Sequence, residues 1–84
     1  MKLIKNDADY IWWISGQLAS ARIRAGLSQK KAAELSFVSV NTISNYERGR
    51  NCPTAVAIMR LASVYGIDDV NVLMRPDFLK GEEK

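Results

Sequence analysis

Asn41 and Asn45 stand four residues apart in the stretch VSVNTISNYERG, residues 38–49. A carboxamide offers an acceptor and a donor side by side, so asparagine can accept from the N6–H₂ of adenine while donating to N7. At helical spacing both amides project on one side, about a turn apart. Val40 and Ser44 share that face, and Arg48 lies at its far end. Val40 suits a thymine methyl, Ser44 a phosphate, a base edge or water, and arginine a phosphate. The plainer alternative is ordinary polar surface. A solvated helix face favours Glu and Lys, however, and a membrane or coiled-coil face is apolar.

Charge points the same way. Net charge is +3 and the isoelectric point about 9.2, but the distribution matters more than the total. Arg22, Arg24, Lys30, Lys31, Arg48 and Arg50 meet only Glu34 and Glu47 between residues 22 and 50, whereas the rest of the chain is slightly acidic. A basic middle is the footprint of a phosphate-binding surface, although many such segments are simply solvated.

Other chemistries find little support. Histidine is absent and cysteine occurs once, at Cys52 in a loop, so neither an internal disulfide nor a common zinc site can form within one chain. The carboxylates, lysines and hydroxyls form no suggestive catalytic cluster, so neither enzyme activity nor a cofactor is expected. Apolar residues make up 48% and charged ones 25% of 84 residues, the balance of one small globular domain spanning residues 1–84. No apolar run is long enough for a membrane span. The start, MKLIKNDADY, places two aspartates where a signal peptide needs an apolar centre, which implies a cytoplasmic location.

The elements that must position these residues are helical. Strand alternation and hairpin turns are lacking, and punctuation cuts the helical periodicity into five pieces. The first helix begins near Asp7 or Asp9, carries a stripe of Ile11, Ile14, Leu18, Ala21 and Ala25, and ends at Gly26. The second is capped by Ser28 and runs to about Leu35. Ser39 caps the third, which runs to Arg48 and is closed by Gly49. The fourth follows Pro53-Thr54, turns Ile58, Leu61, Ala62 and Tyr65 inward, and stops at Gly66. Asp68 caps a short fifth helix whose Val72 and Leu73 close the core, and Pro76 ends it. Residues 76–84 are expected to form a frayed tail. The three residues between the second and third helices force a steep crossing, a helix-turn-helix over about 28–48. Ala33 is expected at the crossing, with Val38, Ile43 and Tyr46 pointing inward.

These residues bring a family into view. ARIRAGLSQKKAAELSFVSVNTISNYERGRNCP, residues 21–53, resembles the Cro/CI-type (XRE) helix-turn-helix domain of phage and bacterial repressors, and LASVYGI, residues 61–67, extends the likeness more loosely. GLSQ, VSVNTIS and YERGR…P carry it. The resemblance implies an all-α, compact five-helix fold like that of lambda repressor, with the third helix in the major groove and two copies on a roughly palindromic operator. By position it assigns Val40, Asn41, Ser44 and Asn45 to base edges, and Gln29, Ser39, Arg48, Arg50 and Asn51 to phosphates. It also implies a structural Arg22–Glu47 ion pair, which would take one charge of each sign from the basic surface.

Five positions depart from the family pattern, among them Ala32 and Ser36, which replace residues that are usually larger aliphatics. Phe37 occupies the turn where glycine is usual, so the turn is either strained or reshaped, or Phe37 packs into space left by the small Ala32 and Ser36. Ala19 replaces a common arginine of the first helix. Lys31 stands where Glu or Gln would complete a capping box with Ser28.

The leading expectation is a sequence-specific DNA-binding transcription regulator, a repressor acting as a homodimer, with no room for a separate effector domain. The alternative is an antitoxin that neutralises a toxin and autoregulates its operon. YIWW adds a further feature: Trp12, Gly16, Ala19 and Ile23 form a second apolar stripe beside the core stripe. The tryptophans are either core anchors or the contact with a partner chain or with Phe78 and Leu79.

Overall fold

The computed structural model describes residues 7–74. Among these the chain forms α1 (Asp7–Arg24), α2 (Gln29–Ser36), α3 (Val40–Glu47), α4 (Ala55–Tyr65) and α5 (Asn71–Met74). Four are helices of eight residues or more; the expected fifth is reduced to one turn. It begins later than expected, where Asp69, not Asp68, accepts the N–H of Asn71 at 2.9 Å. Residues 1–6 and 75–84, including the expected tail, Phe78 and Leu79, lie outside the described range, as do the side chains of Val72 and Met74.

Local chemistry sets the helix ends. Ser28, Ser39 and Thr54 accept the N–H of Lys31, Thr42 and Ala57 at 3.0, 3.1 and 3.1 Å, each removing one orphan donor of a first turn. The Ser28 cap therefore forms without the acidic partner that Lys31 replaces. Gly66 ends α4 in the left-handed region, φ 73°.

The α1 helix packs against α3, α4 and α5, while α2 packs against α3 and α4. Ile14, Leu18 and Ala21 of α1, Ile43 and Tyr46 of α3, and Ile58, Leu61 and Tyr65 of α4 meet in one core that Leu73 closes. Two expected core positions of α1 differ: Ile11 is half-buried and Ala25 exposed. Ser15 is buried instead, its hydroxyl donating to the Trp12 carbonyl at 2.9 Å. The two tryptophans divide, because neighbours on a helix point about 100° apart. Trp13 packs against the core, and Trp12 is 68% exposed.

On α2, Ala33, expected at the crossing with α3, lies partly exposed at the core's edge, while the fully buried alanine is Ala32. Ser36 is buried beside it. Phe37 does not fill the space these small residues leave: it is 85% exposed and sits in the left-handed region at φ 61°. The glycine-type turn shape is therefore kept without glycine. Three bonds hold it: Phe37 N–H to the Ala33 carbonyl at 3.1 Å, Val38 N–H to Ser36 Oγ at 3.2 Å, and Arg60 Nη1 to the Phe37 carbonyl at 3.3 Å.

Candidate nucleic-acid interface

Burying Ile43 and Tyr46 leaves the opposite side of α3 outward. Val40 and Asn41 are exposed on that side, and Ser44 and Asn45 are half-buried at its flanks. Arg48 caps the helix, and the chain turns away through Gly49, φ 74°, with the Arg50 N–H returning to the Asn45 carbonyl at 2.9 Å. Arg48, Arg50 and Asn51 are all exposed. The structure thus brings the four expected base-facing residues onto one helix and three of the expected phosphate-facing residues to its C-terminal end.

Glu47 locks that end to the scaffold. Its carboxylate accepts from Arg22 Nε at 2.8 Å and Arg22 Nη2 at 3.0 Å, a two-pronged pair largely shielded from solvent. Arg22 Nη1 donates to the Leu27 carbonyl at 2.8 Å, so one guanidinium ties α1, the loop before α2 and the end of α3 together. The hydrogen bond to Glu47 raises the Arg22 pKa above its ordinary value, against the opposing effect of burial. Tyr65 of α4 faces the same pair. Burial first, and the Glu47 charge second, push its pKa up to about 12, and its hydroxyl has no hydrogen-bond partner among the described residues.

Two of the expected phosphate contacts are engaged within the protein. Gln29 Nε2 donates to Glu47 Oε1 at 3.0 Å, so its side chain belongs to the Glu47 anchor. The Ser39 hydroxyl caps α3 and donates to Thr42 Oγ1 at 2.8 Å. Among the other cations, Lys31 approaches Glu34 at 3.6 Å on the exposed face of α2. Arg60 is the positioning residue that the sequence did not reveal: it lies 23 positions from the carbonyl it holds, and no local pattern couples the two. Among the described residues no group of His, Cys, Asp or Glu is placed to hold a metal ion, and no helix is long and apolar enough to cross a membrane.

A packed pair of short helices joined by a three-residue turn, with a polar outer face on the second and cations at its end, is the arrangement of a DNA-binding helix-turn-helix. The family model described as "Helix-turn-helix domain" matches residues 13–73. The chain belongs to the XRE-type helix-turn-helix family. It is 33% identical over 67 residues to the HTH-type transcriptional regulator ImmR of Bacillus subtilis, which covers 80% of this chain and 53% of that protein. It is also 33% identical over 61 residues to the HTH-type transcriptional regulator PuuR of Escherichia coli, covering 73% and 33%. The chain thus spans about half or less of the length of these relatives. No solved structure matches it significantly. Family membership places the chain among DNA-binding domains, not enzymes.

Proposed function

We propose that this helix-turn-helix domain is a sequence-specific transcription regulator that seats α3 in the major groove of double-stranded DNA. Repression is the favoured outcome: the bound protein occludes a promoter, acting as a homodimer on a roughly palindromic operator with half-sites about one helical turn apart. The observation that carries this reading is the outer face of α3, where Val40, Asn41, Ser44 and Asn45 stand together and Arg48 follows. Asn41 and Asn45 are assigned to adenine edges. Arg48, Arg50 and Asn51 are assigned to the neighbouring phosphates, where their counterion release makes affinity fall with salt. Gln29 and Ser39 serve this reading mainly by fixing the ends of α3, and reach phosphate only by giving up bonds they make within the protein.

Selection of bound sequences from random DNA with the purified chain tests the proposal. The expected result is an enriched, two-fold symmetric site. Replacing Asn41 and Asn45 by alanine should abolish that preference while leaving weak, salt-sensitive binding; an unchanged preference overturns the assignment.

A further inference from the structure

Among the described residues, no helix packs against the outer face of α1, and none of the residues proposed to contact DNA lies on it, yet it is apolar. Trp12 is 68% and Ile23 65% exposed, with Gly16 and Ala19 between them. These four positions fall within about 60° of one another around the helix, on the side away from Ile14, Leu18 and Ala21. Nothing among the described residues explains Gly16. A Cβ placed there would meet nothing within 4 Å, and glycine inside a helix is destabilising relative to alanine. Close approach of another backbone is the general reason for such a glycine.

The spacing of the stripe identifies the occupant. Trp12, Gly16, Ala19 and Ile23 are separated by four, three and four residues, a pattern that reads the same from either end. Laid antiparallel on a second copy of itself, the stripe sets Trp12 against the second copy's Ile23, and Gly16 against its Ala19. The small residues then meet at the centre and the large ones close both ends, which is the self-complementarity that a two-fold interface requires. Charge agrees. Asp7 and Asp9 lie in the first turn of α1 and Arg24 in its last. The antiparallel register brings Asp9 within about 3 Å, along the axis, of Arg24 of the second copy and opposes the two helix dipoles.

We infer that two copies of this chain pair through the outer faces of α1, antiparallel about a two-fold axis between Gly16 and Ala19. With two Trp and two Ile side chains covered, the buried area is roughly 600 Å², below the range of a stable specific interface, so the pair is weak in isolation. The stripe also borders the recognition element, since Trp12 and Gly16 line one groove with Glu47 and Arg48. Pairing there draws the C-terminal ends of two α3 helices toward a common axis. Only this use across two half-sites rests on the DNA-binding reading; the pairing itself does not.

Sedimentation equilibrium of the full chain without DNA, over a wide range of concentration, tests it. The expected result is a monomer–dimer equilibrium that Ile23→Asp and Gly16→Leu each weaken at least tenfold. Circular dichroism should show both variants folded, since Ile23 is exposed and Gly16 faces open space in the monomer. Asp9→Lys and Arg24→Glu should each weaken association, and combining them should restore it. The two positions are fifteen residues apart on one helix, too far to compensate within a single copy. A chain that stays monomeric throughout, or an Ile23→Asp variant that associates normally, overturns the proposal. Absence of charge rescue overturns the antiparallel register. Loss of association in Met59→Asp but not Ile23→Asp assigns the interface instead to the exposed apolar face formed by Leu35, Phe37, Val56 and Met59, and also overturns it. Association with no sequence preference in DNA selection leaves the pairing standing and removes the function proposed above.

Discussion

The α3 helix is held by an arginine near each end, and the two attachments differ in kind. Near its C-terminus, Glu47 takes a two-pronged bond from Arg22 and a third hydrogen bond from Gln29, largely out of water. Before its N-terminus, Arg60 makes one 3.3 Å bond to the carbonyl of Phe37 at the surface, on a residue already in a conformation that side chains disfavour. Charge meets charge at one end and a backbone dipole at the other. The α3 helix is therefore fixed mainly from its C-terminal end, with the turn following a shape that helix packing imposes on it.

The largest test of this contrast is Glu47→Ala. It leaves Arg22 shielded without its partner, and thermal or urea unfolding should show a loss of about 3 kcal/mol, at the low end for a buried pair because Arg22 retains some exposure. Alkali probes the same end through Tyr65. Its phenol titrates at 10.0 when unfolded and near 12 in the fold, so the fold holds the proton more tightly. That contribution is complete below pH 10 and is lost as pH rises through 12. The expected decline is roughly 2 kcal/mol across that window. Tyr65→Phe should flatten it with little change at neutral pH, because the hydroxyl has no partner to lose among the described residues.

At the turn the effects are smaller and one has the opposite sign. Phe37→Gly relieves the left-handed strain, partly offset by the freer unfolded chain, and should raise stability by about 1 kcal/mol. Arg60→Ala should cost about 0.5 kcal/mol, the value of a single solvent-accessible hydrogen bond. Equal losses for Arg60→Ala and Glu47→Ala in the same unfolding series would erase the contrast.

What the sequence made legible follows the same division between near and far. Ser28, Ser39, Thr54 and Gly66 act on groups a few residues away, and each was readable from local chemistry. The outer face of α3 was readable because Ile43 and Tyr46 fix which side is inward. Arg22–Glu47 came only through family resemblance, since 25 positions separate the partners. Arg60 and the Phe37 carbonyl had no such guide. Ala32 and Ala33 are identical in type, so pattern alone cannot say which of them faces the core. Trp12 and Trp13 posed a similar ambiguity, and packing resolved it. Gln29 was assigned outward by position, but the carboxylate of Glu47 is a nearer charged acceptor for its amide.

The shortness of α3 sets a limit on information. Eight residues rise about 12 Å, which spans no more than about four base-pair steps of a duplex. A word of four letters recurs by chance about once in every few hundred base pairs, against ~10⁶ or more competing sites in a genome. One domain therefore holds enough contact to grip DNA but too few letters to find an address. In the proposed homodimer, a second copy held at a fixed distance supplies the missing letters.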